Sequence, residues 1–146
     1  MKKIINLGVI GSGFIVDTFL EAAAEFENLN LHTFYSRSES TAISFKDKYN
    51  FDKYSTCLED MAKDENLDAI YIASPNAIHQ AQAILFLQNK KHVLCEKAFA
   101  SNYKEALNMI NTAKENNVVI MEAMRITVTP NFKILKDNLL HSYILI

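Results

Sequence analysis

Short, nearly continuous apolar runs alternate along the chain with longer stretches in which apolar residues recur at helical spacing. The runs at residues 4–10, 29–35, 69–73, 92–95 and 118–122 predict strands, with a weaker one near Tyr54. Runs such as A-I-Y-I-A, with no polar alternation, suit strands covered on both faces, as in a parallel sheet. Helices are predicted at 14–27, 38–49, 56–63, 75–89 and 102–116. In the first, Ile15, Phe19, Ala22 and Phe26 recur at helical spacing and predict one buried stripe. Thr56 with Glu59 and Asn102 with Glu105 fit capping boxes, and Ser74 before Pro75 fits an N-cap followed by proline at the first helical position. Strand and helix alternate five times, which predicts an α/β fold with a doubly wound parallel sheet and right-handed crossovers.

Composition narrows the class without changing the fold. The 146 residues are 49% hydrophobic and 22% charged, as in one ordinary globular domain. Lys and Arg number 15 against 17 Asp and Glu, so no basic field calls for nucleic acid. Cys57 and Cys95 are far apart and form no C-x-x-C pair, which suits reduced thiols in the cytoplasm, both as small core hydrophobes. The start at Met1 breaks at Asn6 and Gly8 before a signal peptide could form, so the chain reads as complete there. No apolar stretch approaches the ~18–20 residues of a membrane-spanning helix.

All three glycines, Gly8, Gly11 and Gly13, fall in the first 13 residues. Strand 4–10 runs into G-S-G-F-I-V, residues 11–16, and then into the first helix. Gly11 allows the tight turn, and Gly13 lets the backbone approach a pyrophosphate resting on the helix N-terminus, with Phe14 and Ile15 in its first turn. The third fingerprint position, usually Gly or Ala, is Val16, which predicts a wider helix–strand spacing. The end of the second strand carries Ser36, Arg37 and Ser38 instead of the acid that would grip the ribose hydroxyls of NAD. A hydroxyl beside a guanidinium suits a 2′-phosphate, so NADP is expected ahead of NAD. The alternative leaves Ser38 as the cap of the next helix and Arg37 solvated, accepting either cofactor.

Three further segments follow in order: A-S-P-N-A-I-H at 73–79, V-L-C-E-K-A at 93–98, and V-V-I-M-E-A leading to Pro130. Together with G-S-G-F-I and Y-S-R-S, this order resembles the Gfo/Idh/MocA family, named for glucose-fructose oxidoreductase, inositol dehydrogenase and a rhizopine-catabolism protein, and within it the dihydrodiol dehydrogenase-like branch. The resemblance implies an NAD(P)-dependent oxidoreductase acting on a sugar, cyclitol or diol, with a Rossmann half followed by a second α/β domain that shapes the substrate pocket. The family's E-K-P motif falls on Glu96, Lys97 and Ala98. The resemblance makes Lys97 the group that assists proton transfer at the substrate oxygen and places Glu96 and Lys97 beside the cofactor. Ser74, Asn76 and His79 match the segment lining its nicotinamide half. Proximity to Glu96 is expected to hold Lys97 charged and oriented, and the missing proline leaves the aim of Lys97 open. Glu96 and Lys97 alone also suit a solvated pair at a strand end, and His79 suits a solvent-facing residue.

The remaining chemistry is bland. The four histidines show no metal-ligand spacing, so no metal is expected, and His32 and His92 read as core or edge residues. Phe45, Tyr49, Phe51 and Tyr54 read as core packing. Residues 1–122 are expected to form the dinucleotide-binding domain, and 123–146 a linker and the beginning of a truncated C-terminal domain. Phe132, Leu135 and Leu139 make a helical stripe before the apolar end S-Y-I-L-I, which favours a homo-oligomer covering residues 144–146. Partners are then a nicotinamide dinucleotide and, where a second domain is supplied, a polyol or sugar. The reading that competes with an oxidoreductase is an NADP-binding fragment without turnover, or a Rossmann protein that senses redox state.

Overall fold

The computed structural model describes residues 3–142. Six parallel strands form one sheet: β1 Ile5–Ile10, β2 Leu29–Tyr35, β3 Lys53–Ser55, β4 Ala69–Ile72, β5 His92–Cys95 and β6 Ile120–Glu122. Their order is β3-β2-β1-β4-β5-β6. The chain therefore winds outward from β1 to one edge, crosses back, and winds from β4 to the other. That reversal puts a crevice between the carboxyl ends of β1 and β4, where open α/β sheets bind ligands. The helices are α1 Phe14–Ala23, α2 Glu39–Tyr49, α3 Leu58–Lys63, α4 His79–Gln88, α5 Tyr103–Glu115 and α6 Pro130–Ser142.

The alternation of side chains along each strand feeds two cores. On one face, Leu7, Val9, Phe34 and Tyr71 meet Val16 and Leu20 of α1. On the other, Ile10, Ile70, Ile72 and Cys95 meet Phe86 of α4 and Met109 of α5. Phe51 is buried, and Phe45, Tyr49 and Tyr54 pack against the first core, as expected of packing aromatics. Gly8 belongs to this packing and not to any loop: a Cβ there would overlap the Met61 methyl group and lie 2.8 Å from Ile70 Cδ1.

At the amino ends of the strands a polar network closes the sheet. His32, nearly buried, faces Asp52 through Nδ1 at 3.1 Å and Asp64 through Nε2 at 2.8 Å. Lys53 pairs with Asp64 at 2.6 Å, and Lys3 with Asp68 at 3.0 Å. Asp52 lies below the ordinary carboxylate range because Asn30 and His32 donate to it. Burial opposes the shift at Asp64, but Lys53, His32 and the Asn66 amide outweigh it. His92 sits at the exposed end of β5, where its Nδ1 accepts the Val119 amide at 2.9 Å.

Several local expectations need correction. The buried stripe of α1 is Val16, Leu20 and Ala23, one position later than the predicted one, and α1 ends before Phe26, which is 60% exposed. Helix α3 is capped by Cys57 instead of Thr56, without a side-chain hydrogen bond. Cys57 is thus half-buried at a helix end, donating to Glu59, while Cys95 alone is the core thiol. Ser74 does not cap a helix: Asn76–Ile78 form a 3-10 turn, and α4 starts at His79. The Asn102 cap stands, its side chain accepting the Glu105 amide at 3.1 Å. Ser38 caps α2, accepting the Thr41 amide at 3.4 Å. Among the described residues no helix is long and apolar enough to cross a membrane. The apolar end at 143–146 lies outside the described residues, as do the side chains of Leu135 and Leu139.

Candidate functional site

The site begins where β1 stops. Gly11 has φ +115°, and a Cβ there would overlap the carbonyl oxygen of Ala73, the residue after β4, and lie 2.9 Å from its carbon. The turn closes the sheet at its switch point only because no side chain stands there. Gly13 is different. It precedes α1 with ordinary extended angles, and a Cβ built on it meets nothing within 4 Å. The space in front of the α1 N-terminus is therefore open, facing N–H groups that helix geometry leaves without intrahelical partners. Val16, at the third fingerprint position, is fully buried in the core below, packed beside Val9.

A cleft of about 300 Å³ runs from this turn toward the end of β2. Gly11, Gly13, Ser36, Arg37, Ser74 and Gln82 are among its lining residues. The Ser36 hydroxyl oxygen accepts the Ser38 amide at 3.2 Å and keeps its own proton free to donate outward. Arg37 is exposed beside it. Ser74 donates to Gln82 Oε1 at 2.6 Å, which ties the loop after β4 to α4. Asn76 opens the 3-10 turn, exposed and outside the lining of this cleft.

A larger cavity, about 580 Å³, lies between α1, the ends of β4, β5 and β6 and the segment after β6. Its floor and walls include Ile15, Phe19, Leu94, Met121, Lys97 and Arg125. The stripe predicted for the core, Ile15, Phe19 and Ala22, lines this cavity. Phe14, 83% exposed, lines neither hollow.

Lys97 follows β5 at the rim of this cavity, exposed, its ammonium without a partner among the described residues. The expected ion pair with Glu96 is not formed. The Glu96 carboxylate instead accepts the Tyr71 hydroxyl at 2.7 Å on one oxygen and the Lys97 main-chain amide at 3.2 Å on the other. Glu96 therefore stands below the rim, committed to the protein. Tyr71 is 1% exposed, and burial followed by the Glu96 carboxylate drives its phenol well above the usual range. The Lys97–Ala98 peptide is cis.

His79 also departs from expectation. It is fully buried, and both ring nitrogens face main-chain carbonyl oxygens, Ala98 at 2.9 Å and Ser74 at 2.8 Å. A ring so enclosed touches neither ribose nor solvent. It ties the loop after β4 to the turn after β5. Glu122, at the end of β6, accepts the Phe99 amide at 2.9 Å and holds the same turn from the far side. Tyr71, Glu122 and the tie made by His79 were not singled out from the sequence. The unbroken apolar run of β4 marks Tyr71 only as a core position.

Comparison with known proteins agrees with this geometry. Residues 5–124 match the family model for oxidoreductases with an NAD-binding Rossmann fold, Gfo/Idh/MocA. Over 135 residues the chain is 51% identical to scyllo-inositol 2-dehydrogenase (NADP(+)) of Bacillus subtilis, covering 92% of this chain and 41% of that protein. It is 31% identical over 120 residues to trans-1,2-dihydrobenzene-1,2-diol dehydrogenase of Xenopus tropicalis, covering 82% and 36%. The crystal structure of an NAD binding oxidoreductase from Klebsiella pneumoniae superposes with a TM-score of 0.86 at 27% identity, over 94% of this chain and 39% of that one. The chain thus spans about two fifths of the length of the relatives it matches. With a glycine turn at the sheet's switch point and a family match over most of its length, it belongs to the Gfo/Idh/MocA oxidoreductase family, of which it carries the NAD-binding Rossmann fold.

Proposed function

We propose that residues 1–122 bind NADP, and that the chain is the cofactor-binding part of an oxidoreductase acting at a carbinol or carbonyl carbon of a sugar, cyclitol or diol. The observation that carries this reading is the open space before Gly13, continuous with a cleft that ends at Ser36 and Arg37. Gly11, Gly13 and the first turn of α1 hold the pyrophosphate, and Ser36 with Arg37 hold a 2′-phosphate through a hydroxyl and a bidentate guanidinium. Ser74 borders the cleft, and Ile15 and Lys97 border the cavity on the nicotinamide side.

A nicotinamide dinucleotide, when bound, supplies the hydride acceptor or donor. The chain's own part is electrostatic and geometric. Lys97, with its ammonium unclaimed, holds a proton at the substrate oxygen and stabilises negative charge developing there. Two relatives support the substrate class: one is a scyllo-inositol 2-dehydrogenase named for NADP(+), the other a dihydrobenzene-diol dehydrogenase. Residues 123–146 lead toward a second domain, which positions the polyol.

A second reading rests on the cavity beside Lys97, walled by α1, the sheet and the segment after β6. A substrate there is neither oriented nor shielded from water, so residues 1–146 alone bind cofactor but turn over sugars and diols negligibly. Fluorescence titration with NADPH and NADH, on wild type and Arg37→Ala, tests the cofactor. NADPH affinity falls about tenfold in the variant and NADH affinity stays. Equal NADPH binding by both proteins refutes the assignment of Arg37. Turnover of inositol or diols by the 146-residue chain, abolished in Lys97→Met, refutes the second reading.

A further inference from the structure

The contact between Tyr71 and Glu96 asks for a reason. Tyr71 is a buried residue of the core beneath α1 that also borders the cavity beside Lys97, its ring stacked on Phe19 of α1 with centroids 3.8 Å apart. A phenylalanine makes that stack equally well. Burying a hydroxyl costs free energy unless a partner compensates it, and the partner here is a carboxylate one residue before Lys97. An unrestrained carboxylate next to an unpaired ammonium pairs with it. Glu96 does not: its carboxylate is turned away, one oxygen to the buried phenol and the other to the Lys97 amide.

We propose that Tyr71 is a positioning residue for Lys97: its hydroxyl holds the Glu96 carboxylate against the main chain and away from the Lys97 ammonium, which is thereby left free for a ligand oxygen. The turn is already anchored by other ties. The Glu96 amide donates to Ile72 at 2.8 Å, Ala98 faces His79, and the Phe99 amide donates to Glu122. None of these governs where the Glu96 carboxylate points. Among the described residues Tyr71 alone does so from the buried side, and its stack on Phe19 carries the restraint to the helix whose N-terminus faces the cofactor space.

The proposal rests on the reading that Lys97 meets the substrate oxygen, but its test needs no substrate or cofactor. Lys97 is followed in the 146-residue chain by its acylation rate with a water-soluble succinimidyl ester, mapped by peptide mass spectrometry, and by amide exchange at its main-chain N–H. Tyr71→Phe keeps the ring and its stack. Glu96 is then released to pair with the ammonium, so Lys97 acylation slows about tenfold, and its amide exchanges about tenfold faster as the bond to the charged acceptor loosens. Strands β4 and β5 keep their protection. In Tyr71→Phe with Glu96→Gln no carboxylate remains, and the acylation rate returns to the wild-type value. A lesion of packing alone is not rescued by the second substitution. Unchanged acylation and exchange in Tyr71→Phe overturn the proposal, as does failure of the double variant to recover. In the wild type itself, a slowly exchanging Tyr71 hydroxyl proton is expected in nuclear magnetic resonance spectra, and its absence also counts against the proposal. Failure of NADPH to bind the wild type overturns the cofactor reading and leaves these outcomes intact.

Discussion

Gly11 and Gly13 lie two residues apart in one motif, yet the geometry assigns them separable costs. At Gly11, alanine must adopt φ +115° and place its Cβ into the Ala73 carbonyl, a backbone atom that cannot rotate away. Backbone strain of that kind costs about 1–3 kcal/mol, and the overlap adds about 1–3 kcal/mol more. Gly11→Ala should therefore lose roughly 2–6 kcal/mol, and its thermal midpoint should fall by about 6–20 °C. At Gly13 the angles are ordinary and the Cβ meets nothing. Replacing glycine stabilises by about 0.4–1 kcal/mol through the unfolded chain, while alanine is the poorer residue before a helix by about 0.5–1 kcal/mol. These nearly cancel, so Gly13→Ala should unfold within about 2 °C of wild type. Its methyl group, however, fills the space assigned to the pyrophosphate, and NADPH affinity should fall at least about tenfold, ~1.4 kcal/mol. Urea and thermal denaturation followed by circular dichroism measure the first quantity, and NADPH fluorescence titration the second. A folded Gly13→Ala protein that binds NADPH as tightly as wild type would remove the pyrophosphate from the α1 N-terminus and refute the reasoning.

Other expectations concern the rest of the molecule. Gly8→Ala crowds the ends of the Met61 and Ile70 side chains, which can partly yield, so it should cost about 1–3 kcal/mol in denaturation and leave NADPH affinity untouched. Asp52, Asp64 and Asp68 titrate lower folded than unfolded, so between the two ranges the unfolded chain binds more protons. Their contribution is complete at neutral pH and is lost as pH falls below about 4, a decline in thermal midpoint that Asp64→Asn should flatten. Burial pushes the Cys95 thiol up to about 12, so at neutral pH a disulfide reagent should modify Cys57 in the folded protein and reach Cys95 only on unfolding.

The elements of the fold were legible because each is a local pattern. Five strands and five helices lie close to their predicted ranges. The glycine turn and the pair Ser36 and Arg37 were legible for the same reason, since they sit at the ends of consecutive strands. Errors arose where two local patterns competed. Helix α1 carries two apolar stripes, and composition cannot say which one meets the sheet. Thr56 and Ser74 have the chemistry of caps, but the chain enters its helices later, with Ser74 engaged by Gln82.

What the sequence by itself determined is the α/β fold, the glycine turn after the first strand and the position of Lys97 after the fifth, all matters of period and neighbour. The tertiary structure alone decided how Lys97 is presented. Its surroundings come from β4, α4 and β6, and the contacts of Tyr71, His79 and Glu122 span 25, 19 and 23 positions along the chain. Hydrogen bonds over such separations depend on strand order and register, which no local pattern contains, and so the ion pair suggested by adjacent Glu96 and Lys97 gives way to a buried phenol.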